Sequence, residues 1–155
     1  MAQDGSVHLR DATAGDAAEI TRVFLASRAA ALPGLRRVHS DEDTLAWITH
    51  VVLPGSRVWV AEGEAGELLG FASLDGGELD QLYLRPDALR QGVGTRLLER
   101  VKEASAGELS LYTFRRNYAA RAFYERHGFV AVAYDDGSRN EEGEPDVLYR
   151  WTAVR

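Results

Sequence analysis

The residues best suited to chemistry lie in one stretch, Leu82–Thr95, which reads Leu-Tyr-Leu-Arg-Pro-Asp-Ala-Leu-Arg-Gln-Gly-Val-Gly-Thr. An apolar strand pattern runs into a polar loop, and Gly92-Val93-Gly94-Thr95 opens a helical pattern. The first turn of a helix has unpaired N–H groups and lies at the positive end of the helix dipole. Glycines there keep side chains off the backbone, so a phosphate can approach those N–H groups. The stretch is therefore built like a pyrophosphate cradle. A plain tight turn into a helix is the other reading of Gly-x-Gly taken alone. Two nucleotide motifs fail. The dinucleotide fingerprint needs a third glycine where this chain has Leu97. The Gly-Lys-Ser/Thr of a P-loop occurs nowhere.

The elements that must position this stretch are legible from periodicity and turn residues. Val7–Arg10 reads as a short strand. Thr13 with Asp16 is a capping-box pattern, followed by Ala17, Ile20, Val23 and Phe24 at helical spacing until Ala31-Leu32-Pro33-Gly34. Ser40 with Asp43 starts a second helix whose buried face is expected at Leu45, Ile48 and Val52, with Trp47 and Val51 beside it, and which Pro54-Gly55 ends. Strands follow at Arg57–Glu62, Leu68–Leu74 and Glu78–Leu84, separated by turns at Glu64–Gly66 and Gly76-Gly77. Gly92–Ala104 is a helix with Val93, Leu97, Leu98 and Val101 on one face, and Glu108–Phe114 is a strand. Asn117–His127 is a helix closed by Gly128, and Phe129–Tyr134 and Asp146–Trp151 are strands around an acidic loop. The order β-α-α-β-β-β-α-β-α-β-β predicts an α/β (α+β) layered fold on one sheet, and residues 1–155 are expected to form a single domain.

A second stretch, Asn117-Tyr118-Ala119-Ala120-Arg121-Ala122-Phe123-Tyr124-Glu125-Arg126-His127-Gly128-Phe129, pairs with the first. Together they resemble the GNAT superfamily of N-acetyltransferases, which move an acetyl group from acetyl-coenzyme A to an amine. The family pattern is a strand, Gln/Arg-x-x-Gly-x-Gly/Ala opening a helix, a further strand, and an Asn-x-x-Ala-x-x-Phe-Tyr-x-x-x-Gly-Phe helix. Both halves occur here in order and at the usual spacing.

The resemblance implies a mixed, mostly antiparallel sheet of about six to seven strands with helices on both faces and splayed fourth and fifth strands. It implies that backbone groups of Leu82 and Leu84 bind the pantetheine arm. It gives the N–H groups of Arg90, Gln91, Gly92, Val93, Gly94 and Thr95 to the pyrophosphate, and Asn117 to a hydrogen bond with the coenzyme. Tyr124 would sit near the coenzyme sulfur. One position departs from the pattern: Leu89 stands where Gln or Arg is usual. That loses one polar contact to the pyrophosphate, or leaves it to Arg90. Weaker coenzyme affinity rather than lost function is expected, because backbone groups do most of the holding.

The transfer sets its own demands. A lysine-like amine has a pKa of ~10.4 and must shed a proton before it attacks a thioester. Acids on the fourth strand are the available acceptors, Glu78 and Asp80, which a regular strand places on one face. The resemblance favours Glu78, where some members carry their general base; Asp80 and a water relay stay open, as does a merely exposed strand start. The resemblance makes Tyr124 the partner of the departing thiolate; a core tyrosine packed by Phe123 and Phe129 is the other reading. A tyrosine (~10) is a weaker acid than a thiol (~8.5), so full proton transfer is uphill by roughly 2 kcal/mol. A hydrogen bond that stabilises the thiolate fits better. The backbone N–H near Leu84 suits an oxyanion donor. Phe123 and Phe129 read as packing, and His127 as a partner of its helix C-terminus. Arg115-Arg116 is either a solvated pair or a phosphate contact.

Two segments are expected to border the acceptor. Asp135–Asp146 carries six acids and Arg139, and its part Gly137–Asp146 resembles a segment found in a branch of bacterial members. As a turn-rich loop it is most simply solvated; the other reading makes Glu141 and Glu142 an acidic wall for a cationic amine. Pro33–Asp43, with Arg36, Arg37 and His39, would give a second wall, and its basic residues equally suit an anionic group on the acceptor.

Composition bounds the rest. The chain has 155 residues, 45% apolar and 27% charged, in the range of a globular domain. Its charge of −6 and pI of about 5.2 speak against a nucleic-acid partner. With no cysteine, disulfides, thiolate metal sites and a cysteine nucleophile are excluded. His8, His39, His50 and His127 are not at metal-ligand spacing, so no metal is expected. Met1–Arg10 has no apolar core for a signal peptide and no run is long enough for a membrane helix, so a cytoplasmic protein is expected. The reading is a direct, ternary-complex N-acetyltransferase using acetyl-coenzyme A on a small-molecule or peptide amine, with a homodimer as the family-level expectation. The alternatives are an acyl-coenzyme A sensor without turnover and a pure interaction domain, which leaves the paired motifs unexplained.

Overall fold

The structure, a computed structural model, describes residues 7–154. The reading of Met1–Arg10 as lacking a signal peptide falls mainly on residues 1–6, outside the described residues. Seven strands form one sheet: β1 (His8–Asp11), β2 (Arg57–Glu62), β3 (Leu68–Asp75), β4 (Glu78–Leu84), β5 (Glu108–Phe114), β6 (Val130–Asp135) and β7 (Asp146–Thr152). Their spatial order is β1-β2-β3-β4-β5-β7-β6. Every neighbouring pair is antiparallel except β4–β5, which is parallel. The expected mixed sheet of six to seven strands is thus observed with seven.

Helices cover both faces. α1 (Ala17–Ala31) and the segment after it lie on one face, where Ile20, Phe24, Ile48 and Val52 pack on Val58, Val60 and Phe71. α4 (Val93–Ala104) lies on the other, where Val93, Leu97, Leu98 and Val101 pack on Trp59, Ala61, Ala72 and Leu111. Strand β2 shows why its apolar run is unbroken. Val58 and Val60 feed one core while Trp59 and Ala61 feed the other, so both faces are buried. α5 (Tyr118–Arg126) joins the α4 side, where Tyr124 and Phe129 enter the core.

The start of α1 is held by Asp16, which accepts from the Thr13 N–H at 2.7 Å and from both Nη atoms of Arg10 at 2.9 Å. Arg10 Nε also reaches Glu62 at 2.9 Å. The guanidinium holds the Asp16 carboxyl below its usual range.

Two irregularities depart from the periodic reading. The second helical segment begins as α2 (Asp41–Trp47), capped by Ser40 Oγ accepting from the Asp43 N–H at 3.0 Å. It widens into a π-helical turn, Ile48–Val52, and ends as α3 (Leu53–Gly55). Residues four apart, Thr44, Ile48 and Val52, therefore share the buried face. Leu45, expected there, is 39% exposed, because the wider turn rotates the face by one position. In β4, the pairing steps from Leu74↔Leu79 to Ser73↔Gln81, which leaves Asp80 as the extra residue of a bulge. Glu78 and Asp80 are thus not related by the regular alternation expected of them. Leu79 turns into the α4-side core, while Gln81 and Tyr83 face the α1 side.

Candidate active site

The parallel strands β4 and β5 meet only at their starts. Glu78 is in register with Ser110, whose N–H donates to the Gly77 carbonyl at 3.0 Å. Beyond that point they separate. On its other edge β4 stays paired with β3, and the Arg85 N–H donates to the Leu69 carbonyl at 2.8 Å. N–H and C=O directions alternate along a strand, so Tyr83 faces β3 like Arg85. Leu82 and Leu84 therefore turn their backbone groups into the gap. A strand edge open in the middle of a sheet is a ready acceptor of an extended amide-bearing chain.

The gap leads to the start of α4. Gly92 is its N-cap, with φ +83° and no side-chain cap, so the N–H groups of Val93, Gly94 and Thr95 open the helix uncovered. Arg90 also has a left-handed backbone, φ +65°, which turns the loop sharply before the helix. Gln91 braces the loop by donating from Nε2 to the Asp87 carbonyl at 3.0 Å. Leu89 is 54% exposed and contributes no polar group. A methyl at Gly94 would meet Leu84 Cδ1 and the Phe123 ring at 3.4 Å, so this glycine lets strand end, α4 and α5 close together.

α5 presents its own groups to the same end. Asn117 is its N-cap: its Oδ1 accepts from the Ala120 N–H at 3.2 Å, and its amide NH₂ is left to donate to a ligand. Tyr124 is buried among Phe123, Phe129 and Tyr149, with ring centroids 5.3, 5.6 and 6.4 Å away. Its hydroxyl has no hydrogen-bond partner among the described residues, and burial pushes its pKa above the ordinary tyrosine value. His127 bonds the Phe123 carbonyl through Nδ1 at 2.8 Å and Thr95 Oγ1 through Nε2 at 3.2 Å. It ties the end of α5 to the start of α4. Arg116 is taken up by Glu144 at 2.9 Å and the Pro33 carbonyl at 3.4 Å, while Arg115 lies over the Tyr134 ring.

On the α1 side of the gap is a cavity of about 620 Å³. Gln81 and Tyr83 contribute from β4, Phe24 and Arg28 from α1, His39 from the 33–43 segment, and Glu141 and Glu142 from the loop before β7. Both segments expected to border an acceptor therefore reach it. The acids are engaged, however. Glu142 pairs with Arg28 at 3.3 Å and Glu141 with His39 at 2.8 Å. Glu78 and Asp80 do not line the cavity. Glu78 stands at the closed end of the gap, and burial, then Asp80 and Asp75, raise its carboxyl above the usual range.

The acetyltransferase (GNAT) domain family matches residues 54–131, about half of the chain. The chain belongs to the GNAT acetyltransferase family. The reading as an N-acetyltransferase stands with it. Among the relatives, the peptidyl-lysine N-acetyltransferase YiaC of Escherichia coli (strain K12) is 31% identical over 114 residues, 73% of this chain and 75% of that protein. The peptidyl-lysine N-acetyltransferase YjaB of the same strain is 36% identical over 77 residues, 50% of this chain and 52% of its own length. The apo form of Escherichia coli YjaB in solution shares the fold, with a TM-score of 0.78 at 22% identity over 96% of this chain and 99% of that one. So does the PaiA N-acetyltransferase of Thermoplasma acidophilum solved in complex with coenzyme A, with a TM-score of 0.70 at 22% identity over 95% and 99%. The GNAT match spans the gap, the α4 cradle and α5. Among the described residues no cluster of His, Cys, Asp or Glu is set to hold a metal, and no helix is long and apolar enough to cross a membrane. Sequence reasoning passed over Gln81 and Arg28. Gln81 looked like one more polar strand residue, and Arg28 meets Glu142 only through the fold.

Proposed function

We propose that residues 1–155 form one domain that transfers the acetyl group of acetyl-coenzyme A to a primary amine by direct attack in a ternary complex. The observation that carries this is the gap between β4 and β5. It has an uncovered helix start and a buried tyrosine on one side, and a separate cavity on the other. Two reactants can reach one point from opposite faces of the sheet.

Coenzyme A supplies the thioester and a thiolate leaving group. The residues present fit it: the free edge at Leu82 and Leu84 matches the amides of a pantetheine arm, and the N–H groups from Arg90 through Thr95 match a pyrophosphate. Asn117 donates from its amide to the coenzyme. The backbone N–H at Leu84 faces the gap and serves as the oxyanion donor. Tyr124 offers its hydroxyl to the sulfur. With its acidity weakened further by burial, giving up the proton completely is more uphill than for a free tyrosine, so Tyr124 acts by hydrogen bonding. Glu78, raised toward a useful base strength, takes the proton of the amine through water, next to Asp80. No acyl-enzyme is needed when the amine enters from its own cavity.

The relatives named above are peptidyl-lysine N-acetyltransferases, and a lysine side chain in a peptide is the acceptor proposed here. Coenzyme A release from acetyl-coenzyme A, read with a thiol dye, tests it on an N-acetylated peptide whose single amine is one lysine. The chain has no cysteine to give background. Release that requires the lysine supports transfer. Coenzyme binding without release on any amine favours the sensor reading instead.

A further inference from the structure

We infer that Gln81 is the group that receives the attacking amine, its Oε1 accepting an amine N–H at the floor of the α1-side cavity. The inference rests on the transfer reading above. Gln81 is 9% exposed, so it is nine-tenths buried, yet it lines the cavity. Its Oε1 is buried and has no hydrogen-bond partner among the described residues. A buried carbonyl oxygen left unpaired is costly, and on a residue that lines a cavity it marks a place for a donor.

The orientation of the amide is fixed by its neighbour. Nε2 donates to Asp80 Oδ2 at 3.2 Å. A carboxylate only accepts, so turning the amide over would set oxygen against oxygen. Asp80 therefore holds the NH₂ and leaves the carbonyl oxygen for the ligand. Asp80 is the extra residue of the β4 bulge, so the irregularity that spoils the alternation of this strand is also what places the two side chains next to each other. Across the strand pair, Ser73 is in register with Gln81, and its buried Oγ is likewise unpartnered.

The chemistry suits a neutral acceptor at this point. An attacking amine must direct its lone pair at the thioester carbon, so its N–H bonds must be taken by acceptors elsewhere. A carboxylate in direct contact would favour the ammonium form, which cannot attack. An amide oxygen orients the amine without that penalty and keeps the acid, Asp80, one residue behind. Gln81 precedes Leu82 and Leu84, whose backbone groups face the gap. The amine is thereby held on the strand that also lines the thioester side.

The test uses the full chain, acetyl-coenzyme A and the single-lysine peptide. Gln81→Met keeps length and volume and removes the oxygen. The peptide kcat/KM is expected to fall roughly 10- to 100-fold. The KM for acetyl-coenzyme A is expected to stay within about twofold, and Tm not to fall, since an unpaired buried carbonyl is removed. Gln81→Glu keeps an oxygen there and can share a proton with Asp80. It is expected to recover most of the loss near pH 6 and less at pH 9, where the shared proton is given up. An unchanged peptide kcat/KM in Gln81→Met overturns the assignment while the transfer reading stands. A loss spread equally over both substrates together with a lowered Tm also overturns it, in favour of a structural role. If the wild-type chain acetylates neither the peptide nor any free amine, the transfer reading falls and takes the assignment with it.

Discussion

On the α4 side of the β4–β5 gap, the groups that face it are mostly main chain. They are the open edge at Leu82 and Leu84 and the N–H groups of Val93, Gly94 and Thr95. On the α1 side they are side chains gathered from distant parts of the chain, among them Arg28, Gln81 and Glu142. A main-chain site is set by where strands and helices start, and it tolerates many residue types. A side-chain site is set by residue identity and by long-range pairing. The first can be shared by a whole family, whereas the second is where members differ in what they acetylate. The two sides should then separate in kinetics: changes at α4 and α5 act through the coenzyme or the chemical step, and changes at the cavity act through the acceptor.

The largest break is expected at Tyr124, which is proposed to serve the leaving group at the coenzyme sulfur. Tyr124→Phe keeps the packing on Phe123 and Phe129 and removes the hydroxyl. We expect kcat to fall about 100-fold, the scale of a lost charge-stabilising donor, with both KM values within threefold. Steady-state kinetics on both substrates decides it. A fall in coenzyme affinity of the same size as that in kcat would place Tyr124 with the cradle instead.

Next comes Glu78, at the closed end of the gap. Its carboxyl is raised by burial and by Asp80 and Asp75, and a base works only when ionised. Activity attributable to it is therefore present above its raised pKa and lost as pH falls through it. The amine must also shed a proton, so log kcat/KM should fall with a slope of two below that point and one above it. Glu78→Gln is expected to lower kcat about tenfold at neutral pH and to leave a slope of one throughout. A slope of two that survives in Glu78→Gln would give the base to Asp80.

These two residues also show what the sequence could carry. The element order, the Gly92 start of α4 and the start of α5 at Asn117 rest on local spacing and were legible, as was the choice at Tyr124 between a core ring and a thiolate partner. The bulge at Asp80 was not, because strict alternation fits the same letters equally well. Nor was the π-helical turn at Ile48–Val52, which moves burial from Leu45 to Thr44. The pairs Arg28–Glu142 and His39–Glu141 join residues 114 and 102 positions apart. No local pattern encodes such partners, so the two segments bordering the acceptor cavity were legible while the ion pairs within them were not.

A smaller effect sharpens the main-chain claim. Leu89 is exposed at the position where the family has Gln or Arg. If the backbone N–H groups do most of the holding, Leu89→Gln adds one polar contact to a site that already works. Coenzyme affinity, read by calorimetry, should tighten about 5- to 10-fold, with the acceptor KM unchanged. No tightening would mean that Arg90, or the backbone alone, already satisfies that side of the pyrophosphate.

The smallest expected effect separates two readings of the acidic loop. If Glu141 and Glu142 form a wall that attracts a cationic amine, neutralising either one should raise the acceptor KM to a similar extent. If they act instead by pinning their partners, they should differ. Glu142 is largely buried, its side chain 14% exposed against Arg28, whereas Glu141 is 59% exposed against His39. An exposed pair contributes about 0–1 kcal/mol and a shielded one more. On the pinning account, Glu142→Gln raises the acceptor KM about threefold, because Arg28 loses the anion that holds it between Phe24 and Phe114. Glu141→Gln then changes it by less than half that. Salt decides the remainder: attraction by a charged wall weakens as ionic strength rises, and a local pin inside the cavity does not. Equal effects of both variants that vanish in 0.5 M salt would establish the wall and remove Arg28 from the acceptor site.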